Sequence, residues 1–190
     1  MLQQTARQTV GPFFSISMIR GGENILVQDE TAGERIYIKG RVFDSVGQPV
    51  PFACIEIWQA DAQGYFNHPA DPNQALADKT FRGFGRSEAS DQGFWFKTIK
   101  PGVIAGTQTP YINVRLFSWR TRIHGVTRLY FSDEQGNIDD ALLHSVPEDR
   151  RSTLIAQRQD FGDVPTYRFD IHLQGAKETV FFKLSSFSKK

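Results

Sequence analysis

The stretch "RIYIKGRVFDSVGQPVPFACIEIW", residues 35–58, carries a period of two broken once by a turn. Over 35–44 the alternation predicts a strand with Ile36, Ile38 and Val42 on one face and Tyr37, Lys39, Arg41 and Phe43 on the other. Gly47, Pro49 and Pro51 punctuate a turn, and "FACIEIW" (52–58) reads as a second strand. Working outward, "FWFKTI" (94–99), "YINVRLF" (111–117), "VTRLYF" (126–131), "YRFDIHL" (167–173) and "TVFFKL" (179–184) extend the pattern, with "LQGAKE" as a hairpin turn between the last two. In "TPYINVRLF" (109–117), Tyr111, Asn113 and Arg115 share one face and Ile112, Val114 and Leu116 the other. Short strands at irregular spacing predict an all-β sandwich.

One helix is expected, over "SVPEDRRSTLIAQR". Ser145 stands three residues before Glu148 in capping-box spacing, Pro147 falls in the first turn, and Arg158 lies near the C-terminal end. Segments 11–34 and 59–93, rich in Gly, Asp, Gln, Asn and Pro, read as long loops of the kind that carry function or interfaces. Nothing marks a second domain, so residues 1–190 are read as one sandwich domain with an N-terminal arm at about 1–34.

Composition narrows the function classes. A formal net charge of +1 argues against a nucleic-acid or membrane-surface protein. Sixteen Phe favour wide aromatic sheet faces or a sticky interface. The N-terminus lacks an apolar signal core, which predicts a cytoplasmic protein. The single cysteine, Cys54, excludes an internal disulfide framework and is expected to be a buried, inert thiol. His68, His124, His144 and His172 include no pair within five residues, so no local two-histidine metal motif exists. His172 is expected at a solvated strand edge and His68 in a polar loop. There is no P-loop and no G-x-S-x-G elbow, and "GFGR" (83–86) lacks the helix that would supply anion-binding amides. Arg115, Arg120, Arg122 and Arg128 crowd into 115–128 with no acid among them. They either guard a sheet edge or meet an acidic partner, or one of them reads an anionic substrate.

Several stretches together resemble one family. "GRVFDSVGQPVPFACIEIWQADAQGYF" (40–66) and "FGRSEASDQGFWFKTIKPG" (84–102) are similar to the signature segments of the intradiol ring-cleaving dioxygenases. "QTVGPFF" (8–14), "TRLYFSDE" (127–134), "RRSTLIAQR" (150–158) and "TYRFDIHLQGAKETVFF" (166–182) resemble the non-catalytic chain of the family's two-chain members. The resemblance implies a β-sandwich and an enzyme that cleaves an aromatic dihydroxy acid with O₂. It also implies Fe(III), held in the catalytic chain by two tyrosines and two histidines; phenolate suits the hard ferric ion. At the four ligand positions this sequence has Phe66, Ile104, Tyr111 and Asn113. Tyr65 is one residue off, and strand parity predicts that it points away.

The resemblance therefore implies that this chain holds no metal and has no catalytic residue of its own. It implies as well that the iron belongs to a partner beta chain in a higher-order alpha–beta assembly. By the same resemblance Thr9, Gly11 and Pro12, with Phe13 beside them, line the partner's substrate pocket. The arginine expected near the substrate carboxylate is replaced by Trp119, with Arg120 adjacent. Either Arg120 swings in, or the carboxylate is read otherwise, or the substrate differs. A stand-alone iron-free binding module and a self-sufficient enzyme using another metal are the competing readings.

Overall fold

The computed structural model describes residues 11, 17–105, 107, 109–118 and 124–183. Ten strands follow in chain order: β1 (Arg35–Gly40), β2 (Val42–Phe43), β3 (Ala53–Trp58), β4 (Phe84–Ala89), β5 (Phe94–Ile99), β6 (Tyr111–Phe117), β7 (Gly125–Phe131), β8 (Ile155–Gln159), β9 (Thr166–Arg168) and β10 (Ile171–His172). Eight of them form one sheet in the order β4-β3-β6-β7-β8-β9-β1-β5, and β10 pairs with β2. The sheet turns at β8, which runs parallel to β7 and antiparallel to β9. Its two halves thereby face each other. Ile55 and Ile57 of β3, Ile112, Val114 and Leu116 of β6, and Leu129 and Phe131 of β7 pack in one cluster with Ile36 and Ile38 of β1 and Phe96 of β5. This is the sandwich expected from the period-two pattern. Cys54 is fully buried, and burial pushes its thiol pKa to about 12, so the inert reading holds. No helix of the described residues is long and apolar enough to cross a membrane.

Several local expectations are corrected. The predicted strand 35–44 breaks at Arg41, whose N–H donates to Asp170 Oδ1 (2.8 Å) rather than to a ladder. The stretch 167–173 divides between β9 and β10 for the same crossing. The segment 59–93 is not all loop, because β4 lies within it, antiparallel to β3. Its buried positions are Gly85, Ser87 and Ala89, too small to register as an apolar stripe. A Cβ at Gly85 would fall 2.6 Å from Leu26 Cδ1, so the glycine makes room for a buried leucine. Residues 179–183 form no strand; Thr179 N donates to His172 O and Phe182 N to Val126 O as single bonds.

The helix at 145–158 is also corrected. A short helix α1 (Ala141–His144) precedes the expected span; within it only α2 (Glu148–Arg151) is α-helical, and a 3₁₀ turn (Ser152–Leu154) leads straight into β8. The expected Ser145 cap does not form, since α2 starts after Pro147 with no side-chain cap, while Asp140 caps α1, accepting from Leu143 N (2.9 Å). Ser145 Oγ instead donates to Leu142 O and closes α1. Ile155 and Ala156 pair with Tyr130 and Phe131, so a sheet position overrides helical spacing. His172 is not a freely solvated edge residue. It is half-buried and stacked on Phe43 at 4.9 Å, and burial lowers its pKa.

Candidate functional site

The end of β3 and the loop after β5 are locked together by buried polar groups. Gln59 donates from Nε2 to Ile99 O (3.0 Å), and its Oε1 accepts from Thr98 Oγ1 (2.8 Å). Asp61, 2% exposed, accepts from Gln63 N and Tyr65 N at Oδ1 and from Asp78 N at Oδ2. Its carbonyl accepts from Gly102 N (2.8 Å). Gly64 has φ +88°, and a Cβ there would lie 2.1 Å from Val103 O, so no larger residue fits this crossing.

These contacts bring Phe66 and Ile104 to a common cleft of about 390 Å³, shared with Trp58, Tyr65, His68 and Asp71. Phe66 stacks on Trp58 at 5.5 Å with an interplanar angle of 13°. Trp58 sits opposite Asn113 in the β3–β6 register. Ile104 packs against the apolar cluster of Tyr111 and Tyr130. The guanidinium of Arg128 joins the last two positions. Its Nε donates to Asn113 Oδ1 (3.3 Å), and its Cζ lies 3.8 Å from the centroid of the Tyr111 ring. The four ligand positions inferred from the resemblance thus lie near one another, Phe66 and Ile104 on one cleft and Tyr111 and Asn113 joined by Arg128. A neighbouring groove of about 480 Å³ is lined by Glu56, Trp58, His68, Phe84, Asn113 and Arg115, among others.

The donor chemistry of these positions does not suit a ferric ion. Phe66 and Ile104 have no donor atom, Tyr111 offers one hydroxyl, and the Asn113 amide oxygen is taken by a cation. Among the described residues no group of three or more His, Cys, Asp and Glu could hold a metal. Tyr65 requires a correction. It lies on a loop, where strand parity does not apply, and it lines the same cleft as Phe66. The nearby His68 accepts at Nδ1 from Ala70 N, and both Asp71 oxygens accept backbone N–H groups, from Asn73 and Phe66.

The edge-guarding role also falls for Arg115 and Arg128. Strands β6 and β7 lie inside the sheet, flanked by β3 and β8. Arg115 is exposed and sits opposite Glu56, while Arg128 turns onto Tyr111. Arg120 and Arg122 lie outside the described residues, as do Thr9, Pro12, Phe13 and Trp119. Gly11 is described, with φ +80° and, among the described residues, no atom within 4 Å of where a Cβ would stand. Further along, Met18 is tied to the sheet beside the groove. Arg86 donates from Nη1 to Met18 O (3.3 Å) and pairs through Nε with Glu56 Oε1 (2.7 Å).

A second polar network fixes the other side of the 100–104 turn. Lys100 pairs with Asp133 (3.0 Å) and Glu134, Arg158 with Asp133 (3.0 Å), and the Tyr167 hydroxyl donates to Asp133. Burial works to raise the Asp133 pKa, but the bonds from Lys100, Tyr167 and Arg158 outweigh it and hold the carboxyl below its usual range. A folded pKa below the unfolded one gives stabilisation that is complete above the unfolded value. It fades as pH falls through the folded value. Asp133→Asn is therefore expected to flatten the acid limb of the stability–pH curve below about pH 4. Urea unfolding at a series of pH values reads this directly, and an unchanged acid limb would leave the network without a stabilising role.

Trp58, Gln59 and Asp61 are residues that reading the sequence for chemistry overlooked, and Arg128 was placed there only within an arginine cluster, without its meeting with Tyr111 and Asn113. For the first three the signal was present in "WQAD"; for Arg128 it required the β6–β7 register, which sets Asn113 opposite Arg128.

The comparisons with known proteins bear on this site. The family described as Dioxygenase matches residues 10–175. The protocatechuate 3,4-dioxygenase alpha chain of Pseudomonas putida is 38% identical over 200 residues, covering 96% of this chain and 97% of that one. The protocatechuate 3,4-dioxygenase beta chain of Burkholderia cepacia is 33% identical, covering 83% and 72%. Among solved structures, the dioxygenase domain of a carbohydrate-binding fusion from Streptomyces sp. SirexAA-E superposes with a TM-score of 0.64 at 26% identity, covering 92% of this chain and all of that one.

Proposed function

The chain belongs to the intradiol dioxygenase family, and we propose that it serves there as the non-catalytic alpha subunit of a heteromeric protocatechuate 3,4-dioxygenase. The assembled enzyme cleaves protocatechuate between its two hydroxyl-bearing carbons. Both atoms of O₂ enter the product, 3-carboxy-cis,cis-muconate, so the reaction balances without another oxidant. Iron chemistry resides in the beta subunit. The contribution of this chain is to complete the substrate pocket, position the ring and exclude water, which are binding and orientation effects. Thr9, Gly11 and Pro12 are the residues assigned to that wall. Gly11 suits a close backbone approach, since its backbone conformation disfavours side chains. Trp119 and Arg120 are assigned to the region of the substrate carboxylate.

The observation that carries this reading is a contrast. Similarity to an alpha chain extends over 96% of the sequence, while Phe66 and Ile104 stand where metal donors would be needed. Co-expression of the full chain with a family beta chain bearing two suitably placed tyrosines and an H-x-H motif tests it. A red-brown, active complex that co-purifies is the expected result. A chain that stays apart, beside a partner with full activity and unchanged KM, would instead favour an iron-free binding module.

A further inference from the structure

Beyond the missing ligands, the vestigial centre contains a positive charge of its own. Arg128 reaches two of the four vacated positions at once, stacking on the Tyr111 ring at 3.8 Å and donating to Asn113 Oδ1 at 3.3 Å. Tyr130 stands opposite Tyr111 in the β6–β7 register, and its hydroxyl donates to Oδ1 of Asp140 (2.9 Å), a carboxylate only 4% exposed. The cation thus lies between a π face and an amide oxygen. An aromatic face and oxygen acceptors are what a planar guanidinium prefers.

We propose that Arg128 is a resident cation that takes the electrostatic place of the metal in this chain and bars a metal ion from the vestigial site. The inference rests on the reading of these positions as a lapsed ligand set and extends it. Loss of donors explains weak binding, whereas Arg128 adds direct repulsion within a few ångströms of any ion placed there. The site would then stay closed to iron even if its donors were restored, and iron in the assembly would go to the partner alone.

Two full-length variants decide this. Both carry Phe66→Tyr, Ile104→Tyr, Tyr111→His and Asn113→His; one keeps Arg128 and the other adds Arg128→Gln. Ferrous iron is supplied under air, and iron per chain is read by metal analysis together with tyrosinate-to-iron absorption. The variant without Arg128 is expected to hold about tenfold more iron or better, in the range of other outer-shell effects on metal affinity. Equal iron in the two variants would overturn the proposal, and so would two folded variants that both remain iron-free.

Should four substitutions prevent folding, a lighter pair carries the same test. Tyr111→His with Asn113→His places two imidazoles on one face of β6, with and without Arg128→Gln, and Ni²⁺ is titrated into each. Tighter Ni²⁺ binding without Arg128 supports the role; indistinguishable affinities sink it. Failure of the functional reading looks different: the unmodified chain would itself take up stoichiometric iron.

Discussion

Asp61→Ala is expected to destabilise the fold by about 4 kcal/mol, because each buried N–H left without an acceptor costs about 1–3 kcal/mol. Three backbone donors lose their partner at once: those of Gln63, Tyr65 and Asp78. Asp61 itself is 2% exposed, while Gln63 lies at the surface, so water can reach only part of the vacated network. A loss of that size is a large fraction of the roughly 5–15 kcal/mol that holds a domain folded. Asp61→Asn keeps one side-chain acceptor and is expected to lose about half as much. Urea unfolding monitored by Trp fluorescence measures both, with Trp58 three residues away as a local reporter. A change below about 1 kcal/mol for the alanine variant would mean that the loop is not pinned by Asp61.

The second large effect is expected in the assembled enzyme, at Gly11. Both Gly11→Ala and Gly11→Val pay a backbone penalty at φ +80°, about 1–2 kcal/mol for Ala and more for the β-branched Val. Among the described residues, no atom lies within 4 Å of where the new Cβ would stand. A loss of kcat/KM in the assembled complex, set against the fall in stability measured for the same variant, reports the effect of bulk added at this position. If that arm lines the substrate pocket, Gly11→Val is expected to lower kcat/KM by about 100-fold, in line with the cost of a misplaced substrate, and Gly11→Ala by less. The stability of the chain should fall in both variants and further in Gly11→Val, whose branched Cβ fits φ +80° worse. Activity that ignores both substitutions would remove the arm from the substrate pocket.

What could be read from the sequence follows from where local pattern and tertiary context agree. Strand β6 was legible because Ile112, Val114 and Leu116 are large, apolar and face the core. Strand β4 was hidden because its buried side is Gly85, Ser87 and Ala89, and the apolar surface there comes from Leu26, remote in sequence. The helix was overextended because the apolar run from Leu154 to Ala156 suits helical spacing as well as pairing with β7.

The site divides in the same way. The donor deficit expected at Phe66 and Ile104 follows from the family resemblance together with residue identity and needs no coordinates. Tyr65 was misjudged because parity is a property of strands, and the chain there is a loop held by Asp61. The role of Arg128 was beyond reach, since its meeting with Tyr111 and Asn113 depends on the register of two strands.

Iron analysis of the full-length chain purified alone, after expression in iron-replete medium, tests the central claim most directly. The expected result is a folded, colourless protein with iron no higher than background. One ferric ion per chain with tyrosinate absorption would contradict it, since this cleft would then hold a metal despite Phe66, Ile104 and the Arg128 guanidinium.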